Sequence, residues 1–227
     1  MRETTYSGAG VFDRPLSDYE KVFRPLLNEK GFLETLETIP GRKHLVLDLM
    51  TSGFNLTDFL GKAASLAVGL QRSDVMTVED LAKRGVTYLH ADLTDRLTWR
   101  EIDRWLDGDQ LSLVMSRPEG ALYDSFWNFE NFWNLLVWPT LERLAPGGYL
   151  FFQTPYRFYI GEGDSNFGEY AKRWRLNTTY RVDEMERLET FIFGLNGCGF
   201  EAEVGVANLR PIPRPYFDLL MRVRNTA

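Results

Sequence analysis

Polar side chains follow two neighbouring predicted strands at the points where those strands end. The segments Ala67–Met76 and Ala82–Leu93 have the pattern of a strand, a helix and a second strand, with Gln71 and Asp92 at the carboxyl ends of the strands. Such ends line the ligand crevice of an open α/β sheet. Asp48 lies near the end of an earlier apolar run, so we expect Asp48, Gln71 and Asp92 to share one hollow. The pattern predicts a pocket of the nucleotide-binding type.

The elements that position this pocket alternate between strand and helix patterns from residue 44 onward. Apolar runs such as Leu111–Met115 are typical of parallel strands that are covered on both faces. Alternation of this kind implies right-handed crossovers and a parallel sheet. The predicted strands are 44–50, 65–71, 86–91, 111–116, 148–154, 200–206 and 216–223, and the predicted helices are 55–63, 74–84, 98–107 and 125–144.

The last two strands should be antiparallel, because the segment between them contains Pro211, Pro213 and Pro215 and fits no crossover helix. The sequence therefore predicts a doubly wound α/β fold. Its seven-stranded sheet is mostly parallel with an antiparallel last strand, has helices on both faces, and carries a short N-terminal helical extension.

Two regions stand outside the alternating pattern. Residues 1–43 are predicted to form an N-terminal helical arm or lid, and residues 44–227 the α/β domain. Within that domain, residues 155–181 lack a clear period, which indicates a lid or an insertion.

Two helix starts show a capping-box pattern, in which a Ser or Thr and a Glu three residues later satisfy backbone donors of the first turn. Ser17 and Glu20 predict one such start in the N-terminal arm. Thr98 and Glu101 predict another at the beginning of the helix 98–107.

Composition limits the classes of function. The 227-residue chain has a formal net charge of −6, which argues against a general nucleic-acid-binding protein because such proteins carry a basic surface. The single cysteine, Cys198, and the two histidines, His44 and His90, do not have the spacing of a zinc site, so we expect no metal. The N-terminus lacks a signal-peptide pattern, and no stretch approaches the roughly 18 apolar residues of a membrane span. We expect a soluble cytoplasmic protein.

The predicted helix 125–144 is rich in aromatic side chains, namely Phe126, Trp127, Phe129, Phe132, Trp133 and Trp138. A stripe of this kind faces the core of the molecule. A stripe this wide also suits a homodimer contact or a protein partner. The sequence leaves both interpretations open.

Several short motifs, in this order, resemble those of the class I S-adenosylmethionine-dependent methyltransferases. Residues 68–73 (VGLQRS) resemble the second-strand motif V-G-x-D-x-S, and residues 85–95 resemble the third motif. Residues 141–150 are similar to L-x-x-L-x-P-G-G, and residues 191–200 end in the G-F that enters strand six. The resemblance covers Leu45 to Arg224 and implies a seventh strand that is inserted antiparallel in the sheet.

The resemblance implies S-adenosylmethionine as the cofactor. In the family, the residue that corresponds to Asp92 accepts a hydrogen bond from the adenine amino group. The alternative role for Asp92 is to cap a helix. The position of Asp48 orients the first loop or approaches the amino group of the ligand, or it stabilises a local turn. The cofactor-binding residues that the resemblance implies are Asp48, Met50, Thr51, Ser52, Gly53, Gln71, Arg72, Asp92, Leu93 and Ser116.

This chain departs from the family pattern at two places. The family's D-x-G-x-G-x-G loop is here residues 48–54, with Met50, Ser52 and Phe54 at the glycine positions. Glycine lets the backbone come close to the methionine part of the ligand, and the side chains here can fill that space. Gln71 replaces an acid and can accept a ribose hydrogen bond only through its carbonyl, without charge assistance.

Methyl transfer from a sulfonium is an in-line displacement, for which a protein mainly aligns the two reactants and excludes water. A dedicated base is optional, so the sequence assigns no catalytic residue. Glu119, Asp124 and Tyr156 are candidate bases, and each is also compatible with a solvated loop position.

Three functions fit these observations to different degrees. The first is a methyltransferase that acts on a small molecule or a local polar group. The second is a methyltransferase-like binding or scaffold protein that has lost its cofactor. The third, a nicotinamide-dependent oxidoreductase, is disfavoured because no G-x-G-x-x-G follows a strand. If an open groove lies above residues 50–54, the structure favours a bound cofactor. If the side chains of Met50 and Phe54 fill that space, it favours the scaffold function.

Overall fold

The computed structural model describes residues 13–41, 43–70, 73–117, 133–159, 190, 192–208 and 216–227. The α-helices are α1 (Leu16–Phe23), α2 (Phe32–Glu37), α3 (Val78–Lys83), α4 (Arg96–Leu106) and α5 (Trp138–Leu141). The strands are β1 (Leu45–Leu49), β2 (Ala64–Gly69), β3 (Val86–His90), β4 (Leu111–Ser116), β5 (Leu144–Tyr159), β6 (Phe200–Asn208) and β7 (Tyr216–Asn225). Short 3-10 helices cover Arg24–Leu26 and Phe54–Phe59, a π-helical turn covers Trp133–Val137, and residues 192–197 are helical.

The strands form one sheet in the order β3-β2-β1-β4-β5-β7-β6. Strands β1 to β5 are parallel, and β7 lies antiparallel between β5 and β6. Every residue of β1 and β4 is buried, as expected for central parallel strands covered on both faces. The predicted doubly wound fold with an antiparallel last strand is confirmed.

Helices cover both faces of the sheet. Side chains of α4, α5 and the π-helical turn pack on one face, and side chains of α1, α2, α3 and the 3-10 helix Phe54–Phe59 pack on the other. The N-terminal helices share the core with the strands: the rings of Phe23, Phe32 and Phe151 contact each other edge to face at centroid distances of 5.1–5.9 Å. The division of the chain at residue 43 stays a prediction.

The start of α1 differs from the predicted capping box. The helix begins at Leu16, directly after Pro15, and has no side-chain cap. Glu20 instead accepts a hydrogen bond of 3.0 Å from the backbone N–H of Phe32, which begins α2. The carboxylate therefore connects two helices, and spacing within one helix does not reveal such a role.

The start of α4 also differs from the predicted capping box. The helix begins at Arg96, and the side chain of Asp95 accepts a hydrogen bond of 2.9 Å from the backbone N–H of Leu97. Thr98 falls inside the helix and donates to the backbone carbonyl of Asp92. An aspartate at the end of the strand-exit loop is an equally good cap, and the chain uses it.

Two predicted segments lie partly outside the described residues. Of the predicted helix 125–144, residues 133–141 are helical and Leu144 begins β5, whereas residues 125–132 lie outside. Of the predicted lid 155–181, residues 155–159 continue β5, and the rest lies outside. The partner surface on the aromatic helix stays a prediction. Among the described residues, no helix combines the length and apolar character needed to cross a membrane.

Candidate functional site

The strand order reverses between β1 and β4, and a buried carboxyl group lies at this point. Asp48 of β1 is opposite Met115 of β4 in the register, and it is fully buried. Neither carboxylate oxygen has a partner with good hydrogen-bond geometry among the described residues, and the weaker polar contacts of Tyr19, Asn55, Thr51 and the Leu49 backbone compensate its charge only in part. Burial of a carboxylate is costly unless hydrogen bonds or an opposite charge compensate it. A further donor or a positive charge would therefore be stabilised here.

Three neutral polar side chains surround Asp48. Tyr19 of α1 donates a hydrogen bond of 3.5 Å to Oγ1 of Thr51, and Thr51 donates one of 3.1 Å to Oδ1 of Asn55. All three side chains are buried, and the amide nitrogen of Asn55 has no partner among the described residues. The cluster thus holds a buried amide donor and a buried acid that lie close together without a hydrogen bond of good geometry between them.

Burial raises the pKa of Asp48 from 3.8 to about 7. Hydrogen bonding from Tyr19, Asn55, Thr51 and the Leu49 backbone lowers the pKa and so offsets part of this rise. Burial, and then the charge of Asp48, raises the pKa of Tyr19 well above its usual value. Near neutral pH Asp48 lies between its charged and neutral forms, and a cation brought into the crevice would favour the charged form.

The loop after β1 is a tight turn that lies against the end of β2. Met50 and Gly53 have left-handed φ angles of 64° and 88°. The N–H groups of Met50 and Thr51 both donate to the carbonyl of Val68, over 2.7 and 3.3 Å. A Cβ on Gly69 would lie 2.4 Å from the Thr51 carbonyl oxygen, so glycine is needed there. The close approach of this loop to the end of β2 therefore depends on Gly53 and Gly69.

Met50 stands at the first glycine position of the family loop. Its backbone has a left-handed conformation, which glycine adopts freely. For any other residue this conformation costs about 1 kcal/mol. The half-buried side chain of Met50 packs against the core cluster on the α4 face of the sheet. Phe54 is half-buried and begins the 3-10 helix.

An N-terminal carboxylate connects the loops after β1 and β2. Asp13 accepts a hydrogen bond of 2.8 Å from the hydroxyl of Ser52 and a second of 2.8 Å from the backbone N–H of Val75. Ser52 is only 4% exposed. The segment before α1 therefore closes one side of the loop that the sequence places at the cofactor.

Asp92 lies exposed at the exit of β3. Its Oδ1 accepts hydrogen bonds from the backbone N–H and the hydroxyl of Thr94, over 2.9 and 2.8 Å. These bonds orient the carboxylate through Oδ1. Leu93 beside it is buried. Asp92 therefore stabilises the turn after β3, whereas the predicted helix-capping role belongs to Asp95, and a contact of Asp92 with adenine stays a prediction.

The remaining predicted site residues divide into two groups. Ser116, at the end of β4, is fully buried, and its hydroxyl has no partner among the described residues. The half-buried Arg117 follows it, with its guanidinium carbon 5.9 Å from the centroid of the Tyr19 ring. Gln71, Arg72, Glu119 and Asp124 lie outside the described residues, and of Tyr156 only the backbone position in β5 is described.

Three aliphatic side chains on the connections that leave β2 and β3 are exposed to solvent. Leu70 is 48% exposed, Val75 68% and Leu97 56%. Single exposed aliphatic residues are ordinary. These three lie at the carboxyl edge of the sheet, where they would suit the flat apolar faces of a base.

Known proteins resemble this chain in structure and not in sequence. No protein-family model matches it, and no curated protein sequence matches it significantly. An O-methyltransferase of Streptomyces achromogenes involved in tomaymycin synthesis, solved with SAM, has a TM-score of 0.51 and 13% identity over 93% of this chain and 89% of its own. An O-methyltransferase from Bacillus cereus in complex with SAH has a TM-score of 0.50 and 11% identity over 94% and 84%. An rRNA methylase from Streptococcus thermophilus has a TM-score of 0.50 and 13% identity over 86% and 94%.

The chain has the class I methyltransferase fold. The order of its strands, with β7 antiparallel between β5 and β6, agrees with this likeness. In a methyltransferase fold of this order, the reversal between β1 and β4 is the expected ligand crevice. Asp48 and Ser116 both lie there, and Asp92 lies at the exit of β3, two strands away from β1.

Sequence reasoning missed several residues of the site in this methyltransferase fold. Tyr19 and Asn55 complete the cluster at Asp48, Asp13 connects the two loops, and Gly69 permits their close approach. The adjacent V-G pair in β2 was a usable signal for Gly69. No local pattern distinguishes Asp13 or Tyr19 from other residues of an N-terminal segment.

Proposed function

We propose that this protein is an S-adenosylmethionine-dependent methyltransferase that acts on a small molecule or another polar acceptor. The observation that carries the proposal is the buried Asp48 carboxyl at the reversal of strand order, whose described neighbours are neutral and make no hydrogen bond of good geometry to it. A cationic amino group, such as that of the cofactor's methionine part, would supply the positive charge that these neutral neighbours do not. Charge-assisted hydrogen bonds are about twice as strong as neutral ones, which would offset the cost of burying the acid.

The residues present fit the cofactor. Asp48 would accept from its amino group, with Asn55 offering an amide donor beside it. Oδ2 of Asp92 would accept from the adenine amino group, with Leu70 and Val75 on the neighbouring connection as apolar contacts. Gln71 and Arg72 stay predicted contacts to the ribose or to a charged group.

Bound S-adenosylmethionine supplies an electrophilic methyl group on its sulfonium. The chain's own part is to hold donor and acceptor in line and to exclude water. The buried loop Thr51–Gly53 and the segment at Asp13 restrict access of water from one side. This reaction needs no base from the residues around Asp48.

Calorimetric titration with S-adenosylhomocysteine tests the proposal. We expect micromolar binding to the natural protein and a loss of at least ~10-fold in Asp48→Asn, because one charge-assisted bond is worth about 1.5–3 kcal/mol. Asp58→Asn, an exposed acid on the adjoining 3-10 helix, is the matched control and should bind like the natural protein. Absence of binding at millimolar ligand would overturn the proposal.

The binding or scaffold alternative is supported by Met50 and Ser52 at glycine positions. It predicts no heat with S-adenosylmethionine or S-adenosylhomocysteine in the natural protein. A nucleoside found by mass spectrometry in the gently purified protein would contradict this alternative.

A further inference from the structure

We propose that a cavity between the N-terminal helices and strands β5 and β7 binds a phosphate group that carries a proton. The cavity has a volume of about 90 Å³ and is lined by residues of the turn 27–30, α2, β5 and β7. A water molecule takes up about 30 Å³ of the liquid, so this space holds about three waters or one group of the size of phosphate. The proposal concerns a second ligand and does not rest on the proposed function.

The cavity lies on the same face of the sheet as Asp48 but well away from it. Asp48 and Phe151 are both opposite Met115 in the register. Phe151, which lines the cavity, is in turn opposite Arg222 of β7, which also lines it. Three strand spacings therefore separate Asp48 from Arg222, which is roughly 14 Å across the sheet. A ligand in the cavity can thus bind at the same time as one in the crevice between β1 and β4.

The charges around the cavity favour an anion. Among the described residues, those that line it include two cations, Lys30 and Arg222, and no acid. Arg222 forms an ion pair with Glu203, but the side chain of Glu203 is 44% exposed and that of Arg222 only 13%. Water screens the exposed carboxylate more strongly than the buried guanidinium, so the cavity keeps a positive potential.

The guanidinium of Arg222 has more donors than recorded acceptors. It carries five N–H groups, and its acceptors are the carbonyl of Leu26, over 3.1 Å, and the carboxylate of Glu203. Its Nε is buried and has no partner among the described residues. A buried charged group with an unmet donor is costly. A phosphate oxygen in the cavity would add an acceptor and a negative charge beside this guanidinium.

The turn 27–30 places Lys30 at the cavity. Asn28 and Glu29 have left-handed φ angles of 50° and 65°, which are unfavourable for residues other than glycine. The N–H of Lys30 donates a hydrogen bond of 2.9 Å to the carbonyl of Leu27 and closes the turn. The side chain of Lys30 therefore starts from a defined backbone position, and its exposed ammonium group supplies the second cation.

Two threonines of the α2 wall distinguish phosphate from other oxyanions. The hydroxyl of Thr35 donates to the carbonyl of Gly31 over 2.9 Å, and the hydroxyl of Thr38 donates to the carbonyl of Thr35 over 2.7 Å. Both residues line the cavity, and with their hydrogens used, their hydroxyl oxygens can only accept. Near neutral pH phosphate keeps a proton that it can donate, whereas sulfate and acetate only accept. Cations together with acceptors therefore fit a protonated phosphate best.

Calorimetric titration of inorganic phosphate into the full chain at pH 7 tests the proposal, with sulfate and acetate at equal ionic strength for comparison. The informative variants are Lys30→Gln and Thr35→Val. Lys21→Gln, on the exposed surface of α1, makes the same change in net charge as the first. Thr140→Val matches the second, because Thr140 is also buried and also donates to the carbonyl four residues before it.

We expect phosphate to bind with a dissociation constant below ~1 mM and at least ~10-fold more tightly than sulfate or acetate. Lys30→Gln should weaken phosphate binding about 3- to 10-fold, and Thr35→Val should reduce the preference for phosphate over sulfate to less than about 3-fold. Both control variants should bind phosphate like the natural protein. Arg222→Gln should lose at least ~10-fold in phosphate affinity. Because it also loses the bond to Leu26, Lys30→Gln and Thr35→Val decide the outcome if it does not fold.

Three results would overturn the proposal. They are no phosphate binding at ~10 mM, equal affinities of the natural protein for phosphate and sulfate, and equal phosphate affinities in Lys30→Gln and Lys21→Gln. Phenyl phosphate identifies the source of the group. Binding as tight as that of inorganic phosphate supports a phosphate monoester as the ligand, and much weaker binding supports the free ion. Titration with S-adenosylhomocysteine tests the proposed function separately.

Discussion

Asp13 accepts a hydrogen bond of 2.8 Å from the hydroxyl of Ser52, and the two residues are 39 positions apart. Its second oxygen accepts from the backbone N–H of Val75. One carboxylate therefore sets the spacing between the loops that follow β1 and β2. In the proposed site these loops contact the methionine part and the ribose, so their spacing decides how well the whole cofactor fits.

Replacement of Asp13 by alanine should loosen this connection. We expect S-adenosylhomocysteine to bind about 3- to 10-fold more weakly, since the loss leaves a buried hydroxyl without its acceptor and costs about 1–2 kcal/mol. Calorimetry measures the affinity, and stopped-flow displacement measures whether dissociation is faster. Asp74→Ala, an exposed acid beside Val75, is the control. Equal affinities for the two variants would show that Asp13 has no part in the site.

The sequence predicted the sheet because its signals are local. Continuous apolar runs such as Leu111–Met115 require burial on both faces, and strand ends followed by polar residues fix the edge that carries the site. Asp48 was expected at this edge from the end of its apolar run, and Ser116 was implied by the family resemblance. The structure places both at the reversal of strand order, and their contact with a cofactor stays a prediction. The observed strand ends differ from the predicted ones by a few residues, except in β5, which is much longer than predicted.

The site was less predictable because it depends on contacts between distant residues. Tyr19 reaches Thr51 across 32 positions, and no spacing within α1 shows this. Met50 illustrates a second limit. The sequence predicts an obstructing side chain at a glycine position, whereas the backbone keeps a left-handed turn and the side chain packs onto the core.

Asp48→Asn should stabilise the protein without ligand at neutral pH. The pKa of this carboxyl is raised from 3.8 to about 7 on folding, so the folded state binds more protons than the unfolded state between these values. Its ionisation therefore destabilises the fold as pH rises, by nothing below about pH 4 and by up to about 4 kcal/mol above pH 7. Asparagine does not ionise, so the Asp48→Asn variant does not lose this free energy of unfolding as pH rises.

Urea unfolding of the natural protein and Asp48→Asn at pH 5 and pH 8 measures this difference. The gain in free energy of unfolding should be larger at pH 8 than at pH 5. Asp58→Asn, an exposed acid, should change stability by less than about 0.5 kcal/mol at both pH values. A gain that is independent of pH would mean that Asp48 keeps an ordinary pKa in the folded protein.

Cofactor binding should release protons near neutral pH. Because the pKa of Asp48 is raised to about 7, the carboxyl is partly protonated at pH 6.5, and a cationic amino group would convert it to the charged form. Titration of S-adenosylhomocysteine in buffers of different ionisation enthalpy should show up to about one proton released per molecule at pH 6, with affinity rising toward pH 8. The same release in Asp48→Asn would assign the protons to another group.

Gly69→Ala should disrupt the loop after β1. The added Cβ would lie 2.4 Å from the carbonyl oxygen of Thr51, and this backbone is itself held by Val68. We expect a loss of about 2–3 kcal/mol in free energy of unfolding, as for an overpacked core, together with weakened S-adenosylhomocysteine binding. Gly194→Ala adds the same methyl group in a helical turn with nothing within 4 Å and should be neutral or slightly stabilising. Equal effects of the two variants would exclude this contact as the cause.

Met50 allows the backbone and side-chain contributions of the altered loop to be separated. Met50→Ala and Met50→Gly both remove the half-buried side chain, but only glycine relieves the φ angle of 64°. Met50→Gly should therefore be more stable than Met50→Ala by about 1 kcal/mol, the reverse of the order expected in an ordinary helix or strand. Thermal and urea unfolding give the comparison. If glycine is the less stable of the two, the left-handed turn at Met50 is absent in solution.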